Sequence, residues 1–328
     1  MILTVAAILD EFSETCFSHE CHLIPVRSTD YLSRLRKSGK IDLLLVESVW
    51  RGPGNSWSHY LVNNRKHPVP SGLPILMKLI KECKRLQIPT LFWAKEDPVH
   101  FKHFIISAGV FDWIATTDVN CMQQYKNKFG HNRVFALPFA AQTAIHIPKG
   151  IEGRISLACF AGACRNKQYP NRAAAMDFVL KPAIKYGLHI YDRHKVGSSG
   201  EDFPAIYKDC VQGGVPYTQM LEKYTQYKVF LNVNSIDTSP TMFSRRVFEL
   251  LACGTPVISS PSTGIEKMLP EVLISHNKKE TEQHLQRLLN DDKYWKQIST
   301  AGIARVKSGR TYAHRLKTIC ETIGITEK

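Results

Sequence analysis

Residues 239–260, with the sequence SPTMFSRRVFELLACGTPVISS, have the residue types of an anion-binding site. Thr241 and Ser244 lie in a loop that enters a predicted helix, and Arg245 and Arg246 fall in its first turn. The free N–H groups and the positive end of a helix favour an anion at that end. Two arginines beside it predict a diphosphate site. The alternative is that both arginines only solvate the helix surface.

Glu249 lies further along the same predicted helix, between Phe248 and Leu250 in an otherwise apolar segment. A carboxylate in such surroundings is costly unless it meets hydroxyl groups or a cation. The diol of a ribose would meet that need. The helix therefore predicts a nucleotide site in which the glutamate holds the ribose and an arginine holds the diphosphate.

A second candidate phosphate loop, residues 160–172 with the sequence FAGACRNKQYPNR, follows the first predicted strand of the second half. Small residues let a phosphate approach the backbone, and nearby Lys and Arg side chains neutralise its charge. An exposed basic loop is the alternative. The donor-binding candidates from both loops are Gly162, Lys167, Arg172, Thr241, Ser244, Arg245, Arg246 and Glu249.

In the first half, the segments VESVWRG and WAKEDPVH follow predicted strands and place carboxylates beside tryptophans. The carboxyl ends of strands in a parallel sheet form a ligand-binding edge. Aromatic faces with carboxylates suit a sugar, and a histidine that titrates near neutral pH suits a general base or hydroxyl ligand. Solvated loops and a structural histidine are the alternatives. The acceptor-side candidates are Asp10, Glu47, Trp50, Arg51 and Lys95, and the catalytic candidates are Glu96, Asp97 and His100.

We expect no metal site. Two cysteines and two histidines cluster in residues 16–22, but no second ligand pair follows at zinc-finger spacing. His100 and His103 have no further ligand, and the sequence has no DxD pair to chelate a divalent ion. Cationic side chains and a helix dipole would replace that ion. The sequence also has no GxGxxG fingerprint or Walker loop, which disfavours a dehydrogenase and a kinase.

Short apolar runs alternate with helical patterns along most of the 328 residues; the second half, for example, opens with a predicted strand at 155–162 and a predicted helix at 171–186. This alternation predicts parallel sheets, and the length predicts two domains. The pattern lapses in residues 140–153, which resemble an interdomain linker. We therefore expect two Rossmann-like domains, residues 1–148 and 149–328, with a ligand cleft between them and a helical tail from about Lys279.

The net charge of +14 points to an acidic partner, such as a nucleic acid, a polyanionic polymer or an anionic membrane face. No apolar run approaches the length of a membrane helix, and no secretory signal is recognised, so we expect a cytoplasmic protein. Nine cysteines without a CxxC pair predict free, buried thiols.

The stretch ELLACGTPVISS, which begins at Glu249, resembles EALACGTPVIAS-like stretches of retaining nucleotide-sugar transferases of the GT-B fold. It is most similar to the spore maturation protein CgeB family of group 1 glycosyltransferases. In those enzymes this glutamate is the second of an E-x7-E motif and binds the ribose. The first glutamate, which contacts the donor sugar in classical members, falls at Thr241 and is missing.

Segments of the first half resemble the amino-terminal domain that accompanies CgeB-type transferase domains. They are ILDEFSETCF, LLVESVWRGPGNSW, IPTLFWAKEDPVHF, FDWIATTD and LPFAAQ. The similarity as a whole covers most of residues 1–275.

The resemblance implies transfer of a sugar from a nucleoside-diphosphate sugar to an acceptor, with retention of configuration. Together with the missing DxD pair it predicts a metal-independent reaction that needs no cofactor besides the donor substrate. An anionic polymer, a nucleic acid and a glycan remain open as acceptors. The alternative function is a non-catalytic basic module that binds nucleic acid or another polyanion, and the missing first glutamate gives it weight.

Overall fold

The computed structural model describes residues 2–64, 66–164, 169–192 and 203–325. The chain divides into two compact units. Unit 1 comprises Met1–Phe139 and Tyr312–Lys328, and unit 2 comprises Ala140–Thr311.

Unit 1 contains one six-stranded parallel sheet in the order β2-β1-β3-β4-β5-β6. Every residue of β3 and β4 is buried, as expected when helices cover both faces of a parallel sheet. The elements are β1 (Thr4–Ile8), α1 (Glu11–Phe17), β2 (His22–Pro25), α2 (Tyr31–Lys37), β3 (Leu43–Glu47), α3 (Leu73–Arg85), β4 (Thr90–Ala94), α4 (Phe101–Ala108), β5 (Trp113–Thr116), α5 (Met122–Phe129) and β6 (Val134–Ala136), with 3-10 turns at Pro53–Asn55 and Val119–Cys121.

Unit 2 contains a five-stranded parallel sheet in the order β11-β10-β9-β7-β8. Its elements are β7 (Ile155–Gly162), α6 (Pro170–Val179), β8 (Leu188–Asp192), α7 (Tyr217–Gln226), β9 (Tyr227–Asn232), α8 (Arg246–Ala252), β10 (Val257–Ser259), α9 (Thr263–Met268), β11 (Leu273–Ile274), α10 (Lys278–Asn290) and α11 (Asp292–Lys307), with 3-10 turns at Lys181–Tyr186 and Ala205–Cys210. Two parallel Rossmann-like sheets and C-terminal helices confirm the predicted fold class.

The last helix, Tyr312–Ile323, packs with unit 1. The Tyr312 ring lies edge-on to Phe17, with ring centres 4.9 Å apart. Arg315 donates hydrogen bonds to the backbone carbonyls of Pro138 and Phe139. The predicted tail is therefore three helices, of which the first two belong to unit 2 and the last to unit 1.

Residues 140–153, predicted to be a linker, are part of unit 2. Ala141 N–H donates to the Arg310 carbonyl at 3.0 Å, and Lys149 N–H donates to the Cys253 carbonyl at 3.3 Å. The buried guanidinium of Arg154 then donates to the carbonyls of Lys149 and Cys253. These long-range hydrogen bonds explain why the compact units divide near Phe139 and not near residue 148.

All nine cysteines are buried and free, as predicted. Within the residues that the structure describes, none of the helices has the length and apolar character needed to span a membrane.

Candidate functional site

Helix α8 carries the candidate donor residues of unit 2. It begins at Arg246 and has seven residues. Thr241 and Ser244 lie in the loop before it, both half-buried, and Ser239 Oγ accepts the N–H of Met242 in that loop at 2.9 Å. A helix of two turns has a small dipole, so the side chains must carry most of any contact with an anion.

Glu249 on α8 has no solvent exposure. The Tyr224 hydroxyl donates a 2.7 Å hydrogen bond to Oε2, and Arg245 Nε lies 3.1 Å from Oε1 in an ion pair. Oε1 accepts no hydrogen bond. The buried carboxylate thus has the hydroxyl and cation partners that the sequence argument required, both from its own chain, and one oxygen retains capacity for a hydroxyl donor.

The two arginines of this segment have different partners, in keeping with the roughly 100° between adjacent helix positions. The Arg245 guanidinium pairs with Glu249 and lies 5.1 Å from the centre of the Tyr217 ring. Arg246 Nη1 donates to the Ala161 carbonyl near the end of β7, and its buried Nε makes no hydrogen bond. Arg246 therefore places its cation beside the loop predicted to approach a phosphate.

That loop begins at Gly162, the last residue of β7. A Cβ atom at this position would lie 2.9 Å from Phe160 Cζ, so glycine allows the close packing seen here. Arg172 is buried, and its guanidinium donates to the carbonyls of Val233 and Ala163. Arg172 thus joins the ends of β7 and β9, a different environment from the exposed loop that was the alternative. Lys167 lies outside the described residues.

In unit 1, the ends of β1, β3 and β4 lie side by side and bring together Asp10, Glu47 and Lys95. Lys95 Nζ pairs with the Asp10 carboxylate and, at 2.8 Å, with Glu47 Oε1, and it lies 3.2 Å from Ser13 Oγ. Glu47 is fully buried, and its Oε2 accepts no hydrogen bond. Burial, reinforced by the Asp10 charge and opposed by Lys95, raises the pKa of Glu47 to about 7.

Trp50 lies beyond β3, and its half-buried indole is surrounded by imidazoles. The His100 ring is edge-on to it at 5.1 Å, and the rings of His59 and His103 lie at 6.2 and 5.9 Å. His100 Nε2 is 3.7 Å from Glu96 Oε2. The structure therefore brings Trp50, Glu96 and His100 together. It adds His59, which sequence reasoning missed, and His103, which was considered only as a metal ligand, and it leaves Arg51 exposed nearby in the chain.

Asp97, predicted to be catalytic, faces the interior of unit 1 and is 1% exposed. It accepts hydrogen bonds from the hydroxyls of Thr116 at 2.6 Å and Tyr125 at 3.2 Å. Burial, partly offset by these hydrogen bonds, raises the pKa of Asp97 to about 7. These contacts are those of a core residue and do not favour direct contact with a substrate.

Sequence reasoning also missed Tyr224 and His146, which lie beside Glu249 and Arg245. The fourth-neighbour spacing of Arg245 and Glu249 is a signal that could have predicted their ion pair. Tyr224 is 25 positions from Glu249, and nothing in the sequence connects them. Among the residues with described positions, no group of three or more His, Cys, Asp and Glu side chains is arranged to hold a metal ion.

A cavity of about 250 Å³ lies at the carboxyl ends of β9, β10 and β11 in unit 2. Its lining combines polar and apolar side chains but includes neither Arg246 nor Glu249. The lining residues are Asn171, Ala175, Phe178, Asn234, Ser235, Asp237, Ser260, Pro261 and His276.

Comparison with known proteins adds a family match over part of the chain and a fold. Residues 173–321 match the family described as glycosyl transferase-like. No curated protein matches the sequence closely enough to count as a relative.

Solved structures share the fold at low sequence identity. Anabaena HepE in complex with UDP is 9% identical, with a TM-score of 0.57, and the match covers 99% of this chain and 100% of HepE. The trehalose 6-phosphate synthase of Burkholderia multivorans is 13% identical, with a TM-score of 0.53 and coverages of 91% and 75%. TarM of S. aureus is 12% identical, with a TM-score of 0.56, and the match covers 90% of this chain but only 57% of TarM. The chain has the GT-B fold, and residues 173–321 are similar to the glycosyl transferase-like family.

Proposed function

We propose that this protein is a cytoplasmic group 1 glycosyltransferase of the CgeB-like type, which transfers a sugar from a nucleoside-diphosphate sugar to an acceptor with retention of configuration and without a metal ion. The observation that carries the proposal is Glu249. This carboxylate is fully buried on α8, is held by Tyr224, and keeps one oxygen without a hydrogen bond beside two arginines.

Glu249 is proposed to bind the ribose diol through Oε1. Buried acceptors that lack a donor are costly, and a ribose hydroxyl supplies a donor that the protein does not. Arg245 now pairs with this oxygen through Nε at 3.1 Å, so the diol would share the carboxylate with the guanidinium or displace it.

Arg246 is proposed to bind the diphosphate. Its Nη1 is fixed on the Ala161 carbonyl, next to Gly162, while its Nε has no hydrogen bond. A fixed cation stabilises the negative charge that develops on the departing diphosphate as the glycosidic bond breaks. Lys167, Arg172, Thr241 and Ser244 remain predicted donor residues on the adjoining loops.

The acceptor is proposed to bind unit 1 at the carboxyl ends of β3 and β4. Trp50 offers an aromatic surface, while Glu96 and His100 offer polar groups that suit hydroxyls. The pairing of Lys95 with Asp10 and Glu47 fixes the neighbouring strand ends. We therefore propose that the charged cluster of Asp10, Glu47 and Lys95 positions the loops. Contact with the acceptor is assigned to Trp50, Arg51, Glu96 and His100.

The test is nucleotide binding to the full chain, measured by isothermal titration calorimetry. UDP is the first probe because the HepE structure contains it. Wild type should bind UDP, and Glu249→Gln should weaken uridine, UMP and UDP by similar factors because all three contain the ribose. Glu222→Gln, an exposed glutamate on α7, is the matched control and should bind like wild type.

Two results would contradict the proposal. Equal UDP affinity of Glu249→Gln and wild type would remove Glu249 from the donor site. If wild type bound no nucleoside diphosphate but bound a polyanion such as heparin or RNA tightly, the non-catalytic basic module would be favoured. The threonine at position 241 and the net charge of +14 are the features that support that alternative.

A further inference from the structure

His146 occupies an unexpected place for a residue of a presumed linker, since its side chain has no solvent exposure. Its Nδ1 lies 3.0 Å from the backbone N of Gln142 and 2.9 Å from the carbonyl oxygen of the same residue. Its Nε2 lies 3.3 Å from the Tyr217 hydroxyl, and its ring lies 6.4 Å from the Tyr224 ring at an interplanar angle of 30°. A single imidazole therefore contacts two tyrosines of α7.

These two tyrosines are seven positions apart, which is two helical turns, so they lie on one face of α7. Each of them also contacts one of the two proposed donor-binding residues, Arg245 and Glu249. The Tyr217 ring lies under the Arg245 guanidinium, and the Tyr224 hydroxyl donates to Glu249. His146 is thus one contact away from both members of the Arg245–Glu249 ion pair.

The charged groups that act on His146 are Arg245, which opposes a positive ring, and Glu249, which favours one. Burial is the largest influence and lowers the pKa of His146 below its usual value of 6.5. Burial also raises the pKa of Tyr224, so that tyrosine stays neutral beside it. The imidazole is therefore neutral at pH 7.

Protonation would change the contact of the nitrogen that accepts a hydrogen bond in the neutral ring. A neutral ring has one donor and one acceptor nitrogen, whereas a charged ring has two donors. If Nδ1 is that acceptor, the N–H of Gln142 loses it, and if Nε2 is that acceptor, the Tyr217 hydroxyl loses it. In both cases a second positive charge would lie near Arg245. Any resulting shift of Tyr217 or Tyr224 would be passed to the ion pair that they contact.

We propose that neutral His146 is a positioning residue of the donor site: through Tyr217 and Tyr224 it holds the Arg245–Glu249 pair for the nucleotide, and its protonation in mild acid weakens nucleotide binding. The proposal rests on the proposed function, because it takes this pair to bind the donor.

The experiment measures UDP affinity by calorimetry between about pH 5 and 8 for wild type and His146→Phe. Phenylalanine retains the ring packed on Tyr224 but has no titrating nitrogen. If the pKa of His146 is one unit lower with UDP bound, wild type loses about tenfold in affinity on acidification beyond the loss seen in His146→Phe. Both proteins share the titration of UDP itself, so the difference between them isolates the histidine.

His189→Phe is the matched control. His189 is a partly buried histidine of unit 2 that also contacts a tyrosine hydroxyl, that of Tyr227 at 2.8 Å, and burial lowers its pKa as well. It has no contact with the Arg245–Glu249 pair in the described structure. The variant should therefore show the pH profile of wild type.

A second measurement covers the case in which His146→Phe does not fold. NMR titration of the histidine Cε1 protons in wild type should show the His146 pKa falling when UDP is added. Identical pH profiles for wild type and His146→Phe, or a His146 pKa that UDP does not change, would overturn this proposal and leave the proposed function intact. Absence of binding of any nucleoside diphosphate by wild type at pH 7.5 would overturn both.

Discussion

Asp97 allows a quantitative test of the interior of unit 1. We predict that Asp97→Asn stabilises the protein at about pH 8 and changes its stability little in acid, because burial penalises only the charged carboxylate. The substitution keeps the size of the side chain. The two hydroxyls bond to different oxygens of Asp97, so the amide oxygen can accept from one of Thr116 and Tyr125 while the amide nitrogen donates to the hydroxyl oxygen of the other.

The magnitude follows from the pKa of Asp97, which burial raises from 3.8 to about 7. Between these values the folded chain holds a proton that the unfolded chain has released. The resulting stability is full below the unfolded pKa and is lost as the pH rises through the folded pKa. Three pKa units correspond to about 4 kcal/mol, which is the largest penalty that the asparagine would remove at high pH.

The assay is urea unfolding of wild type and Asp97→Asn, followed by tryptophan fluorescence at several pH values. Four of the five tryptophans, at positions 50, 57, 93 and 113, belong to unit 1, so the signal reports mainly on that unit. Glu11→Gln is the control because its carboxylate is exposed on α1. A variant that loses stability at about pH 8, or whose difference from wild type is constant with pH, would refute the reasoning.

Three further predictions concern the proposed activity. Arg246→Ala should weaken the binding of UDP by about 1.5 to 3 kcal/mol, the range for a charge-assisted hydrogen bond, and the binding of uridine far less, whereas Arg245→Ala should weaken the binding of both. Calorimetry with the two ligands checks this. Equal small losses of affinity in both variants would remove the diphosphate from this helix. Turnover, or slow hydrolysis of the donor, should persist in EDTA, and a complete loss that manganese or magnesium restores would contradict metal independence. Glu96→Gln and His100→Ala should lower the transfer rate and leave UDP affinity nearly unchanged; normal transfer rates in either variant would exclude that residue from the acceptor site.

Much of the fold could be predicted because its information is local. Buried strands in parallel sheets are apolar runs, and β7 has the bounds expected from its sequence, Ile155–Gly162. The helix expected across residues 171–186 is interrupted near Pro182 and continues as a 3-10 turn, a break that the proline signals. Helix α1 escaped notice because EFSETCF is short and partly polar, although the Asp10 cap on Ser13 is typical of a helix start.

The candidate sites were less predictable because they depend on residues distant in sequence. The prediction that Glu249 needs polar partners follows from its apolar neighbours, but Tyr224 and His146 come from α7 and from the presumed linker. Asp97 is similar, since the hydroxyls of Thr116 and Tyr125 that surround it lie 19 and 28 positions away. The neighbours of a residue in sequence indicate its surroundings along its own helix or strand. They do not indicate which side chains of other elements pack against it.

The packing of Tyr312–Ile323 with unit 1 has a consequence for synthesis in the cell. Unit 1 is encoded in two segments, and all of unit 2 is translated between them. At about 5 to 20 residues per second, the ribosome needs roughly 10 to 35 seconds to add the intervening segment. During that interval Phe17 has no Tyr312 ring against it, and the carbonyls of Pro138 and Phe139 have no Arg315. Unit 2, continuous in sequence, can complete its packing first, so the order of maturation during translation is the reverse of the order in which the two units begin.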